Sequence, residues 1–109
     1  MSDYIYIITN ELGYIKVGVS KHPEKRVKQL QTGNEHTLSL LFTEEFNCSR
    51  NHLLKIEDQI HRTLSLSAED HRGEWFKLPA DKTPQDIQNL ITYSRIRFED
   101  DQSYFNTRY

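Results

Sequence analysis

The sequence predicts a small α+β domain: an antiparallel sheet of about three strands flanked by helices, in the order β-β-α-β-α-β-α. Three observations carry that expectation. Two runs rich in β-branched and aromatic residues, 4–8 and 14–20, flank the turn-forming Asn10-Glu11-Leu12-Gly13, the pattern of a β-hairpin. A segment opening at Pro23 and closing at Gly33-Asn34 has the start and stop residues of a helix. A longer segment, 50–66, carries Leu53, Ile60 and Leu64 at helical spacing behind Ser49, a good cap.

Taken in order, the elements place several polar groups in company. On the first strand Tyr4, Tyr6 and Ile8 share one face and Ile5 and Ile7 the other. On the return strand Ile15, Val17 and Val19 line one face, and Tyr14, Lys16, Gly18 and Ser20 the opposite one. The helix from Pro23 has only Val27 and Leu30 as apolar residues, and Arg26 lies beside Leu30 at the edge of the stripe. A short hairpin followed by this basic helix can therefore bring Tyr6, Lys16 and Arg26 near one another. Residues 38–46 read as a third strand, apolar in Leu38, Leu40, Leu41, Phe42 and Phe46. In the second helix Glu57 falls four residues after Leu53 and three before Ile60, on the buried face, with His61 one turn later. A carboxylate and an imidazole in an apolar stripe are costly unless paired, hydrogen-bonded or metal-bound. The simplest pairing is a hydrogen bond between the two.

Residues 67–73 read as a polar loop, and 74–78 as a short strand ended by Pro79. Thr83 caps a last helix with Pro84 at its first position and Asp86 in its first turn; Ile87, Leu90, Ile91, Ile96 and Phe98 form its packing side. The tail, 99–109, mixes acids with aromatics. At 109 residues the chain predicts one domain, with 1–80 carrying the site and 81–109 packed as part of it.

Composition narrows the classes. Hydrophobic residues make up 36% and aromatics 11%, enough for a folded core. The single cysteine, Cys48, excludes an internal disulfide and zinc-finger spacing, and suits a reducing cytosol. The start Met1-Ser2-Asp3 shows no signal peptide, and no apolar run approaches the ~20 residues of a membrane span. A cytoplasmic protein without a membrane partner is expected. Net charge is −2, but residues 16–28 hold five cations (Lys16, Lys21, Lys25, Arg26, Lys28) against Glu24, a local +4. Such a segment either meets phosphate, with Lys21, Lys25 and Lys28 as substrate-binding candidates, or is a solvated face with a Glu24–Lys28 pair.

Tyr4-Ile5-Tyr6, Lys16-Val17-Gly18, Glu24-Lys25-Arg26 and Glu57, in that order, resemble the GIY-YIG nuclease superfamily. Leu30-Gln31-Thr32-Gly33-Asn34 and Arg72-Gly73-Glu74-Trp75-Phe76 resemble its small phage and bacterial branch, in which the second motif begins with Lys. The resemblance covers about residues 3 to 79. It implies a metal-dependent endonuclease hydrolysing phosphodiester bonds in nucleic acid, with double-stranded DNA the expected partner, in a bacterial or phage-infected cell. Tyr6 matches the tyrosine that helps activate water, and Lys16 stands where most of the superfamily has a second tyrosine. Gly18 matches the closing glycine, where a bare backbone permits close approach to substrate. Arg26 matches the arginine on the scissile phosphate, Glu57 the glutamate that holds one divalent ion (Mg2+, or Mn2+), and His61 a histidine this branch keeps. Two departures stand out. The first motif lacks its glycine, and Glu74 or Trp75 occupies the neighbourhood of an asparagine common in the superfamily.

The chemistry accounts for these residue types. In-line hydrolysis needs a deprotonated nucleophile, neutralisation of developing charge and help for the leaving oxygen. Arg26 offers a planar fork to phosphate oxygens, and one Mg2+ on Glu57 could complete its shell with waters and phosphate. Tyr6, with an ordinary pKa near ~10, needs a neighbouring cation to act as a base. Lys16 either lowers the Tyr6 pKa or is itself the base. The alternatives are a non-catalytic nucleic-acid-binding or protein-interaction module on the same fold, or an interaction protein whose tail meets a host factor. With no separate sequence-reading domain, specificity would come from a larger protein partner, from nucleic-acid structure, or be slight, and a homodimer would allow double-strand cuts.

Overall fold

The structure, a computed structural model, describes the backbone of residues 3–108 and the side chains of residues 3–97. Phe98 and the acidic–aromatic side chains of 99–109 lie outside the described residues. Within them the elements are β1 (Asp3–Asn10), β2 (Tyr14–Ser20), α1 (Pro23–Gln31), β3 (Leu38–Phe46), α2 (Arg50–Ser67), β4 (Asp70–Arg72), β5 (Trp75–Lys77) and α3 (Pro84–Arg108). The strands form one antiparallel sheet in the order β3-β1-β2-β5-β4.

The α+β class holds, with five strands in the sheet where about three were expected. The short strand expected at 74–78 joins it as β5, and β4 forms inside the segment read as a polar loop. Its residues, Asp70, His71 and Arg72, are all exposed and carry no alternation to signal a strand. Gly73, at φ +61°, lets the chain turn back over the two residues between Arg72 and Trp75, which face each other across the hairpin.

Register fixes which residues share a face. Tyr6 faces Gly18 and Ile8 faces Lys16, so these four lie on one side, while Ile5, Ile7, Ile15 and Val17 lie on the other. The first side is covered by α1, whose Val27 and Leu30 pack on buried Tyr6, Ile8 and Leu38 with Leu40 and Trp75. The second is covered by α2 and α3. Leu53, Ile56, Ile60 and Leu64 of α2 and Ile87 and Ile91 of α3 bury against Ile5, Ile7, Ile15, Val17, Phe46 and Phe76.

A bulge explains the unbroken apolar run in β3. Ile7 pairs with Phe42 and Ile8 with Leu40, so Leu41 is the extra residue and is 46% exposed. The slip sends Leu38 and Leu40 to the α1 side and Phe42 and Phe46 to the other. It also turns Glu44 toward α3, where it accepts hydrogen bonds from Thr92 (2.8 Å) and Arg95 (2.7 Å).

The caps form as their residues predict. Ser49 Oγ accepts from the His52 N–H at 3.2 Å, and the Asp86 carboxylate accepts from the Thr83 N–H at 2.8 Å. Ile96, placed on the packing side of the last helix by its spacing, is instead 45% exposed. Among the described residues no helix is long and apolar enough to cross a membrane.

Leu53 is fully buried where α2 meets the sheet, whereas Leu66 on the same helix is 90% exposed. Leu53→Ala is expected to lower unfolding stability by about 2–5 kcal/mol in a urea titration. Leu66→Ala should change it by less than about 0.5 kcal/mol.

Candidate active site

The site forms where the sheet is incomplete. β5 pairs with β2 only at Tyr14 and Ile15, so the rest of β2 has no strand on that side. Helix α2 occupies the opening. His61 donates from Nε2 to the Val17 carbonyl at 2.7 Å; a carbonyl can only accept, so Nε2 carries the proton. The ring also leans on Phe76, with centroids 6.2 Å apart. The hydrogen bond expected between His61 and Glu57 is therefore replaced by one to the strand. Glu57, one turn earlier on α2, is carried to the same edge.

From the α1 side Tyr6 reaches across β2 to this edge. A Cβ added to Gly18 would stand 2.3 Å from the Tyr6 hydroxyl oxygen and 2.4 Å from the ring carbon that bears it. Gly18 is thus the slot for the Tyr6 ring. Its bare backbone was expected to admit substrate; the structure fills that space with the tyrosine. Among the described residues no side-chain nitrogen or oxygen sealed from solvent lacks a partner. The Tyr6 hydroxyl has none among the described residues, so the oxygen of this 2% exposed residue lies at the limit of solvent contact.

Lys16 lies between the two. Its side chain is 11% exposed and forms an ion pair with Glu74, at the tip of the β4–β5 hairpin. A lysine so deep in the protein would be costly unpaired. The hydrogen bond and charge of Lys16 hold the Glu74 carboxyl below the usual carboxylate range, with His61 and Arg26 adding in the same direction. The pair ties the Lys16 ammonium to the Glu74 carboxylate. Glu74 was visible in the sequence only as the occupant of an asparagine position. The hairpin places it at the centre of the charges.

Glu57 has the opposite environment. It is half-buried, and burial pushes its carboxyl above the ordinary range. His61, Lys16 and Arg50 oppose that rise, while Glu74 adds to it. Arg50 lies two turns before Glu57 on α2 and pairs with Asp3 at 2.7 Å; no sequence signal marked it as part of this field. Among the described residues no hydrogen bond or ion pair reaches the Glu57 carboxylate. Arg26 is exposed on α1, bonded to Gln29 at 3.4 Å, with its charge felt at Glu74.

The structure therefore gathers Lys16, Glu57, Glu74 and His61 at one edge, with the Tyr6 hydroxyl arriving over Gly18 and Arg26 contributing charge from α1. Lys21, Lys25 and Lys28 stay exposed and make no ion pair among the described residues. The Glu24–Lys28 pair that would have absorbed one charge is absent among them.

A half-buried carboxylate without a protein partner suits a hard divalent cation that keeps most of its waters. No cage is built for it: among the described residues no three His, Cys, Asp or Glu side chains group to hold a metal. Of the two acids at the edge, Glu74 is committed to Lys16, leaving Glu57 to offer its oxygens.

These features define a small α+β domain with a charged cluster of mixed sign at an open sheet edge. The T5orf172 domain matches residues 3–92, and the chain belongs to that family. It is a phage-associated domain reported in a nuclease context, which makes a nucleic-acid-related module the class for this chain. Among curated proteins and among solved structures nothing matches.

The raised Glu57 carboxyl carries a stability consequence. The folded state holds this proton more tightly than the unfolded chain, so the ionised form weakens the fold at neutral pH. In EDTA, Glu57→Gln is expected to shift the urea midpoint upward at pH 7. The gain should shrink as pH falls through the Glu57 pKa into the ordinary carboxylate range.

Proposed function

We propose that the chain is a metal-dependent endonuclease of the GIY-YIG type. It would hydrolyse phosphodiester bonds in nucleic acid, with double-stranded DNA as substrate, in the cytoplasm of a bacterial or phage-infected cell. The observation that carries the reading is the Glu57 carboxylate, half-buried and unpartnered among the described residues. A binding module has no need to keep a carboxylate desolvated and unpaired beside a substrate polyanion. A hydrolase that takes up a cation there does.

The remaining roles follow from the arrangement. A divalent cation bound at Glu57 would neutralise phosphate charge and assist the leaving oxygen. Tyr6, fixed by the Gly18 slot, orients the attacking water and, as the phenolate, takes the proton the water gives up, returning to the phenol. The ammonium of Lys16, paired with Glu74, favours the phenolate that must be present before attack. The guanidinium of Arg26 takes two equatorial oxygens of the phosphate. His61 keeps Nε2–H on the Val17 carbonyl, which leaves Nδ1 as its hydrogen-bonding atom toward substrate or water. Lys21, Lys25 and Lys28 extend the positive surface along α1 for the flanking backbone. A double-strand cut calls for two copies of the chain or a larger partner, because one such site acts on one phosphodiester.

Supercoiled plasmid incubated with Mg2+ or Mn2+ should be nicked by the wild-type chain and spared in EDTA. Glu57→Gln and Arg26→Ala are each expected to lower the nicking rate at least about 10²-fold. Salt-sensitive binding with no nicking under either ion would replace the nuclease by a non-catalytic binding module.

A further inference from the structure

Two sequence motifs, Gln31-Thr32-Gly33-Asn34 and Arg72-Gly73-Glu74-Trp75, play little part in the cluster beyond Glu74. The fold brings them together. Asn34 and His36, after α1, meet Arg72 and Trp75 of the β4–β5 hairpin over Tyr14 and Asn10, around a cavity of about 160 Å³. That is below the ~300 Å³ at which pockets for drug-sized ligands begin, and is room for one flat ring system.

The lining suits a heterocycle. Tyr14 and Trp75 supply aromatic surface, and the Arg72 guanidinium lies 5.6 Å from the centre of the Tyr14 ring. The Tyr14 hydroxyl donates to Asp70 at 2.6 Å, which pins that ring. The amide oxygen of Asn34 accepts from the His36 N–H at 2.9 Å, and that of Asn10 from the Leu12 and Tyr14 N–H groups at 3.0 and 3.1 Å. Backbone N–H groups only donate, so these contacts fix the amide orientations and leave both Nδ2 groups for a ligand. Among the described residues nothing takes up either one.

Charge argues against a phosphate here. His36 lies 3.0 Å from Glu11 and 3.6 Å from Glu35, and the Arg72 guanidinium 3.7 Å from Asp70, so both basic side chains of the rim face carboxylates. Lys25 and Lys28, unpaired among the described residues, lie on α1, and Lys77, across from Tyr14, is not part of the lining. A neutral flat ring with acceptors on its edge fits the lining better than an anion does.

Position ties the cavity to the cluster. Tyr14 and Lys16 stand two residues apart on one face of β2, about 7 Å along the strand, and Trp75 directly follows Glu74. A group held by Tyr14 and Trp75 is therefore within one nucleotide of a phosphate held beside Lys16.

We propose that this cavity receives one unpaired nucleobase of the substrate strand, stacked on Trp75 beside the buried Tyr14 and held at its edge by Asn34 and Asn10. The inference rests on the nucleic-acid reading of the adjoining cluster. It makes the preferred site on double-stranded DNA one with an unpaired base next to the scissile phosphate, as in a flap or loop.

Trp75 is the only tryptophan of the chain, so its fluorescence reports on the cavity directly, with no need for cleavage. The full chain is titrated in EDTA with a short single-stranded oligodeoxynucleotide, with the ribonucleotide strand of the same sequence, and with the deoxy duplex. A single strand of either sugar should quench Trp75 and bind about tenfold tighter than the duplex, the worth of one stacked base. Asn34→Ser keeps an oxygen for the His36 N–H and removes the amide donors; it should reduce that preference and leave duplex affinity unchanged. Trp75→Ala, followed by the polarisation of labelled oligonucleotides, should abolish it as well. Trp75 emission that stays constant while the strand binds overturns the proposal, as does equal affinity for single strand and duplex. Nicking of plasmid with a silent Trp75 would leave the nuclease reading intact and remove the base pocket. Quenching without nicking under either ion would do the reverse.

Discussion

The hydrogen bond from His61 to the Val17 carbonyl is the contact on which the candidate site depends. Helix α2 and the Tyr6–Lys16 face lie on opposite sides of the sheet, and a continuous sheet would keep their side chains apart. β5 ends its pairing at Ile15, so β2 presents unpaired backbone beyond it. A buried carbonyl without a partner is costly, and the imidazole meets that need at 2.7 Å. Burial of Ile56, Ile60 and Leu64 sets the rotation of α2, which brings His61 to that carbonyl and Glu57 to the sheet margin.

The charges at this margin are arranged against stability in one place and for it in another. Lys16 and Glu74 satisfy each other, and the depressed Glu74 carboxyl marks that mutual support. Glu57 is left desolvated, with only distant compensation from His61, Lys16 and Arg50. A carboxylate kept in that condition is the kind of local cost found where a protein takes up a cation or moves a proton. Gly18 expresses the same logic sterically. Any larger residue would push out the Tyr6 ring, so the position is reserved for the reach of a neighbour.

Much of this was legible in the residues themselves. Pro23, Ser49, Thr83 and Pro84 mark helix starts by capping chemistry that acts within a few residues, and each element begins where they place it. Glu57 stood out because a carboxylate in the Leu53–Ile60–Leu64 stripe breaks the helical pattern. Other features depended on pairing between distant segments. β4 exists only because β5 offers it an edge, and the bulge at Leu41 appears only when β3 is laid against β1. The expected Glu57–His61 bond was reasonable from spacing along one helix, yet an unpaired carbonyl on another element captured the imidazole. For the same reason Gly18 was read as an opening to substrate: nothing in the local sequence shows that a tyrosine twelve residues earlier lies across it.

Whether a divalent ion is held at Glu57 decides the nuclease reading. Broadening of backbone amide signals by small amounts of Mn2+ in an NMR spectrum locates such an ion without any assumption about cleavage. An ion at Glu57 should broaden first the signals of Glu57, His61, Glu74 and the β2 edge from Lys16 to Gly18, and Glu57→Gln should remove the effect. Broadening centred elsewhere, for instance on the acidic run Glu99-Asp100-Asp101, or none at all, would contradict it.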